Sequence, residues 1–315
     1  MIVASTPLRI SLFGGSTDNP YFIEKFGYGS VISFACDLKT YISVSQDRFG
    51  QNKHDNKYII NYSKRDESLN IPDIKNDIAR LVLDYFDVPP VSISMTSDVF
   101  SHGSGLASSS SYLISLIKAV SMFLNKKMTD TEICSLALKL EQILNPYCGY
   151  QDPYGCGVGG FKKMDFFRNG RVNYEFLPTN FFDSYDMHLI FTGITRSSTD
   201  VLKSVTDNIE KSKPLLNTVS KAYEAIIEND YEFLINLINE SWIQKKDTTS
   251  HITENQKIKE IDEYLLNEKT AIAHKLCGAG NGGFFFVISN KNTLSVPYEY
   301  VKIGVSTNGV EGHRL

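Results

Sequence analysis

Short runs in which apolar and polar positions alternate dominate the first third of the chain. LRISLF, SVISFACDL, TYISVSQD and KYIINYS are rich in β-branched and aromatic residues and are separated by Gly, Asn or Asp, so each is expected to form a strand. The period then lengthens. DIKNDIARLVLDYF carries apolar residues at helical spacing, Pro89-Pro90 stops it, and VSISMTSDV returns to alternation. A second helix is expected from about Leu106 to Leu124. A third begins at Thr129, where Thr129 and Glu132 stand at capping-box spacing, and runs to about Leu144. NPYCGYQDPYGCGVGG then interrupts the pattern with two prolines and five glycines.

Further along, FKKMDFF and RVNYEFLP read as a strand pair across the turn Asn169-Gly170. MHLIFTGI is a strand and TRSSTD the loop after it. From about Thr206 to Glu268 the pattern is helical, with an interruption expected at Lys245 to Thr253. AIAHKLC, GFFFVIS and YEYVKIGVS alternate again. Strand-rich ends around a helix-rich middle give an α+β fold, divided near Gly160 to Gly170, which sets expected domains of 1–168 and 169–315.

Composition narrows the class. With 315 residues, 42% of them hydrophobic and 22% charged, the chain has ample material for a globular core and excludes disorder. A formal net charge of -4 favours neither nucleic acid nor an anionic membrane, so any phosphate must be bound at a local site. The five cysteines are odd in number and contain no CxxC pair, which argues against a disulfide framework or structural zinc and fits a reducing cytoplasm. MIVASTPLRISLF lacks the basic and long apolar regions of a signal peptide, and no apolar run approaches ~20 residues. A cytoplasmic protein is expected.

Three places combine small residues with abrupt breaks in periodicity: PLRISLFGGSTD, GSGLASSSS and CGAGNGGFFF. In the second, glycines permit close backbone approach, and Ser108 to Ser111 fill the first turn of a helix whose N–H groups point outward. Hydroxyls there can cap the helix, hold phosphate oxygens or ligate a metal; a plain serine-rich N-cap is the simpler alternative. No GxxxxGK[ST] occurs in the chain. Gly155, Gly157 and Gly160 satisfy GxGxxG, as do Gly278, Gly280 and Gly283, but both are followed by strand-like residues where a dinucleotide fingerprint requires a helix.

The charged residues beside these breaks are the candidates for chemistry. Asp152 lies between structure breakers, where an Asx-turn would also explain it. Glu141 closes a helix pattern, where a carboxylate opposes the macrodipole unless a cation is near. Arg9 sits among apolar strand residues and needs a partner. Asp18 follows Gly14-Gly15 and would serve equally as a cap for the next turn. The six histidines show no metal-ligand spacing.

Taken in order, these motifs resemble those of the GHMP small-molecule kinase family. PLRISLFGGSTD is similar to its first motif, GSGLASSSSY to its nucleotide-binding second, EQILNPYCGYQDPYGCGVGG to the segment carrying its catalytic aspartate, and KLCGAGNGGF to its third. TGITRSSTDVL and ESWIQKK resemble the sugar-kinase branch that includes heptose 7-phosphate kinases. The likeness spans essentially the whole chain. It implies an N-terminal domain like ribosomal protein S5 domain 2, a ferredoxin-like C-terminal domain, and ATP and Mg²⁺ in the cleft between them. The phosphates would lie over Gly103, Ser104, Gly105, Leu106, Ala107, Ser108, Ser109 and Ser110.

Residue by residue, the resemblance implies Asp152 as the group that takes the proton from the acceptor hydroxyl and Arg9 as its cationic neighbour. Ser109 and Glu141 correspond to the Mg²⁺ ligands. Asp18 corresponds to the acid that grips the acceptor, with Gly15 and Gln151 alongside, and Gly278, Gly280 and Asn281 to the loop closing over it. A sugar phosphate needs a second anion site. Arg196, Lys245, Lys246 and Lys275 are the cations in motif-like segments, and Arg196 and Lys245 are the expected pair. Ala107 and Asn281 stand where the family favours glycine, His102 stands in the second motif's leader, and Pro153 replaces a glutamine beside the expected base. The expected reaction is phosphorylation of the anomeric hydroxyl of a heptose 7-phosphate. A kinase of a neutral hexose of the galactose or fucose type, and a silent sensor that binds ATP and sugar, are the alternatives. GGSTD in place of the galactokinase GEHTD tilts away from the former, and retention of Arg9, Asp152 and Glu141 away from the latter. A small sugar or sugar phosphate is the expected partner, without nucleic acid or membrane; a homodimer is left open.

Overall fold

The structure is a computed structural model and describes residues 1–99, 103–195 and 199–315. His102 and Arg196 lie outside the described residues. The chain opens with strand β1 (Ile2–Phe13), helix α1 (Pro20–Phe26) and strand β2 (Tyr28–Ser45). A short helix α2 (Gln51–His54) leads into β3 (Tyr58–Asn61) and β4 (Arg65–Ser68), followed by α3 (Asp77–Phe86) and β5 (Ser92–Ser97). Three helices come next: α4 (Ser108–Phe123), α5 (Asp130–Leu144) and α6 (Gln151–Gly157).

SVISFACDL and TYISVSQD are one strand, β2, where two were expected. The polar step at Asp37 to Lys39 is where β2 changes partner. Its first half pairs β6 (Phe161–Phe167) and its second half pairs β5. β1 runs antiparallel to β2 from Ile32 to Val44, across the change, so the ladder continues while its neighbour changes. The register of β1 shifts between Pro7 and Arg9 and again between Ser11 and Phe13. Such irregularities re-aim side chains, and here the Arg9 N–H leaves the sheet to donate to the Leu106 carbonyl at 3.1 Å.

β6 and β7 (Val172–Phe176) form the expected hairpin. The division expected at residue 168 falls inside its turn. Because the two strands share one ladder, the large sheet runs on to Phe176, and it takes its last strand, at the far end of the chain, beside β1. After α7 (Asn180–Ser184) and β8 (Tyr185–Phe191) the chain is helical through α8 (Thr199–Asp207), α9 (Pro214–Glu228), α10 (Tyr231–Thr248) and α11 (Gln256–Asn267). The interruption expected at Lys245 to Thr253 begins later, at Thr249: α10 continues to Thr248, with Lys245 and Lys246 in its last turn, where cations oppose the helix dipole favourably, and the turn Ser250–Thr253 then separates it from α11. β9 (Ala273–Leu276), β10 (Phe284–Asn290), β11 (Tyr300–Ile303) and β12 (Glu311–Arg314) complete the chain.

Two sheets result. The large one has eight strands, ordered β12-β1-β2-β5-β3-β4, with β6 on β2 and β7 on β6. The small one is antiparallel in the order β11-β8-β10-β9, the ferredoxin-like order. One core lies between the large sheet and α3, α4 and α5; a second joins that sheet to β8, β9, β10, α9 and α10. This is the α+β architecture expected from the sequence.

α4 is the central helix. Leu113, Ile114, Leu116, Ile117, Ala119 and Val120 are all fully buried, leaving it no solvated face in its middle turns. A helix so enclosed brings its polar N-terminus into the interior as well.

Candidate active site

The four serines at the start of α4 project in four directions, as steps of about 100° per residue require. Ser108 pairs with the Ser104 hydroxyl at 2.8 Å, bracing the preceding loop. Ser111 reaches the other way, to the Thr6 carbonyl at 2.9 Å and the Thr40 hydroxyl at 2.7 Å, anchoring the turn on β1 and β2. Ser110 donates to the Glu141 carboxylate on α5. Ser109 is exposed to the cleft and hydrogen-bonds Glu141 as well. The run is therefore a hub, with the N–H groups of its first turn lacking intrahelical acceptors.

Ala107 is the N-cap residue and has φ 61° and ψ 38°, the left-handed region where its family counterpart is glycine. An L-residue is strained there by about 1–2 kcal/mol. The loop on its N-terminal side is held against the third glycine cluster, backbone to backbone. A Cβ on Gly105 would lie 2.5 Å from the Cys277 carbonyl, and one on Gly283 would lie 2.2 Å from the Ser104 carbonyl. Both clusters need glycine for the same contact.

Next to this loop is a cleft of about 740 Å³, lined among others by Arg9, Gly15, Asp18, Ser109, Glu141, Gln151, Asp152, Lys245, Lys275 and Gly278. Asp152 lies in the first turn of α6, a helix where the sequence pattern predicted a break. Pro153 is tolerated because first-turn N–H groups have no intrahelical acceptor. The Asp152 Oδ1 accepts from Arg9 Nε at 3.0 Å and Nη2 at 2.8 Å, while Arg9 Nη1 donates to the Gly105 carbonyl at 2.8 Å. Burial works against the Arg9 charge, but the neighbouring carboxylate outweighs it and raises the guanidinium pKa further. Arg9 is enclosed and Asp152 is a quarter exposed, so the carboxylate is pinned on one side and open to the cleft on the other.

Asp18 is 3% exposed and does not cap the next helix; Asn19 does, accepting from the Tyr21 N–H. Its carboxylate accepts instead from the Gln151 N–H, the Gln151 Nε2 and the Ser16 N–H, each at 3.1 Å. Burial, then the nearby Asp152, push its pKa up to about 6. Glu141 is raised to about 7 for the same two reasons. On the cationic side, Lys245 Nζ donates to Ser16 Oγ at 2.6 Å. Lys275 Nζ donates to the Leu12 carbonyl at 2.6 Å, and burial plus the charges of Lys245 and Arg9 lower its pKa to about 7.

Not every expected contact reaches the cleft. Asn281, at φ 57°, takes the left-handed conformation and donates its N–H to the Ile252 carbonyl, and a Cβ on Gly280 would meet Ile252. Both face the loop before α11 and are absent from the lining, so they shape the third motif from behind. Leu106 is in the core and Ser110 is behind Ser109. Lys246 pairs with Asp262 at 2.7 Å, away from the cleft. Lys275 belongs to the cleft, although Lys245 and Arg196 looked the better pair. A strand lysine in AHKL reads as a solvated face until β1, from the other end of the chain, covers it. Ser11, next to Gly15, is a further lining residue without a signal in the sequence; its hydroxyl is buried with no hydrogen-bond partner among the described residues. All five cysteines are free and buried.

An open carboxylate held by an enclosed guanidinium, next to a helix N-terminus and a buried Glu, has the groups that phosphoryl transfer to a hydroxyl needs. Fold and cleft thus define a phosphotransferase acting on an alcohol group of a small molecule. Residues 74–160 match the GHMP kinases N terminal domain. D-glycero-alpha-D-manno-heptose 7-phosphate kinase of Campylobacter jejuni is 32% identical over 306 residues, covering 90% of this chain and 88% of that protein. Mevalonate kinase of Pyrococcus abyssi is 26% identical, covering 92% and 89%. The crystal structure of a D-glycero-D-manno-heptose 1-phosphate kinase from Bacteroides thetaiotaomicron superposes with a TM-score of 0.73 over 100% of this chain and 99% of that one, at 18% identity. The chain belongs to the GHMP kinase family.

Proposed function

We propose that this protein is an ATP-dependent sugar kinase whose acceptor is the anomeric hydroxyl of a heptose 7-phosphate. The observation that carries the reading is the Asp152–Arg9 pair, a carboxylate fixed through one oxygen and open through the other to a cleft that also holds Asp18, Lys245 and Lys275. Similarity to the Campylobacter jejuni heptose 7-phosphate kinase over nearly the full length of both chains supports the acceptor.

In this reading Asp152 accepts the acceptor hydroxyl proton as that oxygen bonds to the γ-phosphorus and the bond to the leaving ADP oxygen breaks. Arg9 holds the Asp152 carboxylate in place through Oδ1. Asp18 and Gln151 hold sugar hydroxyls, and Lys245 with Lys275 supplies positive charge for the acceptor phosphate. Glu141, Ser109 and Ser110 fit a magnesium ion: a buried carboxylate whose partners are hydroxyls and a thiol, with no cation among them, is a hard-oxygen donor set short of charge. When bound, the ion neutralises charge on phosphate oxygens. The N–H groups at the start of α4 would do the same through the helix dipole.

A coupled ATP-consumption assay over heptose 7-phosphates, neutral hexoses of the galactose and fucose type, and mevalonate tests the acceptor. Turnover confined to a neutral hexose or to mevalonate overturns the heptose assignment, and tight binding without turnover of any acceptor overturns the enzyme reading. Asp152→Asn is expected to keep ATP affinity while kcat falls by about 10²–10⁴-fold. Near-native kcat in that variant would remove Asp152 as the base.

A further inference from the structure

Among the described residues Lys162 is a fully buried lysine with no part in the proposed phosphoryl transfer. It sits on β6, is 0% exposed, and its ammonium contacts carbonyl oxygens: Gly159 at 2.6 Å, Gly155 at 3.0 Å and Gly160 at 3.5 Å. The side chains whose charge acts on it are the thiols of Cys156 on α6 and Cys134 on α5, and among the described residues no carboxylate pairs with it. An unpaired charge in the interior is costly, and burial lowers this one to about 8. A methionine would fill the same volume without that cost.

The helix it touches explains what the charge does. α6 has seven residues, three of them Gly155, Gly157 and Pro153, and no side-chain N-cap. The glycines are required by close packing. A Cβ on Gly155 would lie 3.1 Å from Arg9 Cγ, and one on Gly157 would lie 2.4 Å from the Cys134 sulfur. Gly155 inside the helix costs it roughly 1 kcal/mol relative to alanine, and Gly157 closes a helix of only two turns, so α6 does not hold its own geometry. Its ends are held instead. At the N-terminus the Asp18 carboxylate accepts from the Gln151 N–H, and the Asp18 carbonyl accepts from the Tyr150 N–H. At the C-terminus the Lys162 ammonium gathers the Gly155 and Gly159 carbonyls. A negative group at one end and a positive one at the other is the arrangement that the helix dipole favours.

We propose that Lys162 is a positioning residue for Asp152: its ammonium fixes the C-terminal end of α6 and thereby the placement of the carboxylate at the other end. This rests on Asp152 being the base, and the two claims fail separately. Lys162→Met, Asp152→Asn and the double variant are compared at saturating ATP, with a heptose 7-phosphate or the sugar of the panel that turns over. Calorimetric ATP titration counts the competent sites. Lys162→Met is expected to lower kcat per competent site about tenfold or more, since small misplacements of a reacting group cost that much. ATP affinity stays within about twofold, and the double variant is no slower than Asp152→Asn alone because both act through one carboxylate. A loss only of Tm or of competent sites, or a kcat penalty that multiplies with that of Asp152→Asn, overturns the positioning role. Should Lys162→Met fail to fold, Lys162→Gln, which keeps a donor for the Gly159 carbonyl, is read in the same way. Near-native kcat in Asp152→Asn sinks the base assignment instead.

Discussion

Gly149 offers a direct test of how Asp18 is held. Its backbone is not in the left-handed region, so alanine introduces no torsional strain, yet a Cβ there would lie 1.9 Å from Asp18 Oδ2 and 2.7 Å from Cγ. The carboxylate cannot tilt away freely, because Ser16 and Gln151 donate three hydrogen bonds to it. Gly149→Ala therefore breaks the Asp18–Gln151 contacts. Hydrogen bonds to a charged acceptor contribute about 1.5–3 kcal/mol each, so losing the two from Gln151 destabilises by at least about 3 kcal/mol. With an unfolding entropy of roughly 2.1 cal/mol/K per residue, a chain of this length loses about 4–5 °C in Tm. If Asp18 grips an acceptor hydroxyl, the displaced carboxylate also forfeits one such bond to substrate, and the acceptor KM rises about 10- to 100-fold. The ATP KM is unchanged, since the α4 loop is untouched. Thermal melts and acceptor titrations read the two effects. A Tm within about 1 °C of the parent together with an unchanged acceptor KM would refute the reasoning.

Two further expectations concern buried charge away from Asp152. The Lys275 pKa falls from 10.5 to about 7 in the folded chain, so its stability contribution is full above 10.5 and is lost as pH falls through 7. Urea midpoints should thus show the parent gaining roughly 1.5 kcal/mol between pH 7 and pH 8.5 relative to Lys275→Met; identical pH dependence in the two would show that Lys275 keeps its proton in the fold and that burial does not lower its pKa. Asp262 accepts from Trp242 Nε1 at 2.6 Å, His274 Nε2 at 2.8 Å and Lys246 at 2.7 Å, tying α10 and α11 to β9 next to the two cleft lysines. Asp262→Asn should lower stability by about 3 kcal/mol and shift the emission of the chain's single tryptophan. Parent-like stability and emission would show that the network is not the brace it looks.

Much of the α+β order was legible because it is local. The Thr129–Glu132 capping box begins α5 as its spacing implied, and the Asn169-Gly170 turn joins β6 to β7. The misreadings share one cause. Asp37 to Lys39 looked like the end of a strand, Pro153 and its glycines like a break, and Lys245 to Thr248 like a gap between helices. In each case a contact from outside the stretch itself supports what local propensity disfavours: β5 takes over from β6, Asp18 and Lys162 hold the two ends of α6, and the cleft receives Lys245.

The sequence by itself determined which residues carry reactive groups, because hydroxyls, carboxylates and glycines at fixed spacing follow from local backbone rules. It marked Ser108 to Ser111 as a helix start and Arg9 as an apolar-strand cation in need of a partner. The tertiary structure added that Asp152, the neighbour the family resemblance implied, meets Arg9 through one carboxylate oxygen, that the second and third glycine clusters touch each other, and that Lys275 faces the cleft while Gly280 and Asn281 face away. Most of those outcomes depend on contacts across more than a hundred residues, where side-chain direction follows from strand register and helix packing, and neither is written in any short stretch of the chain.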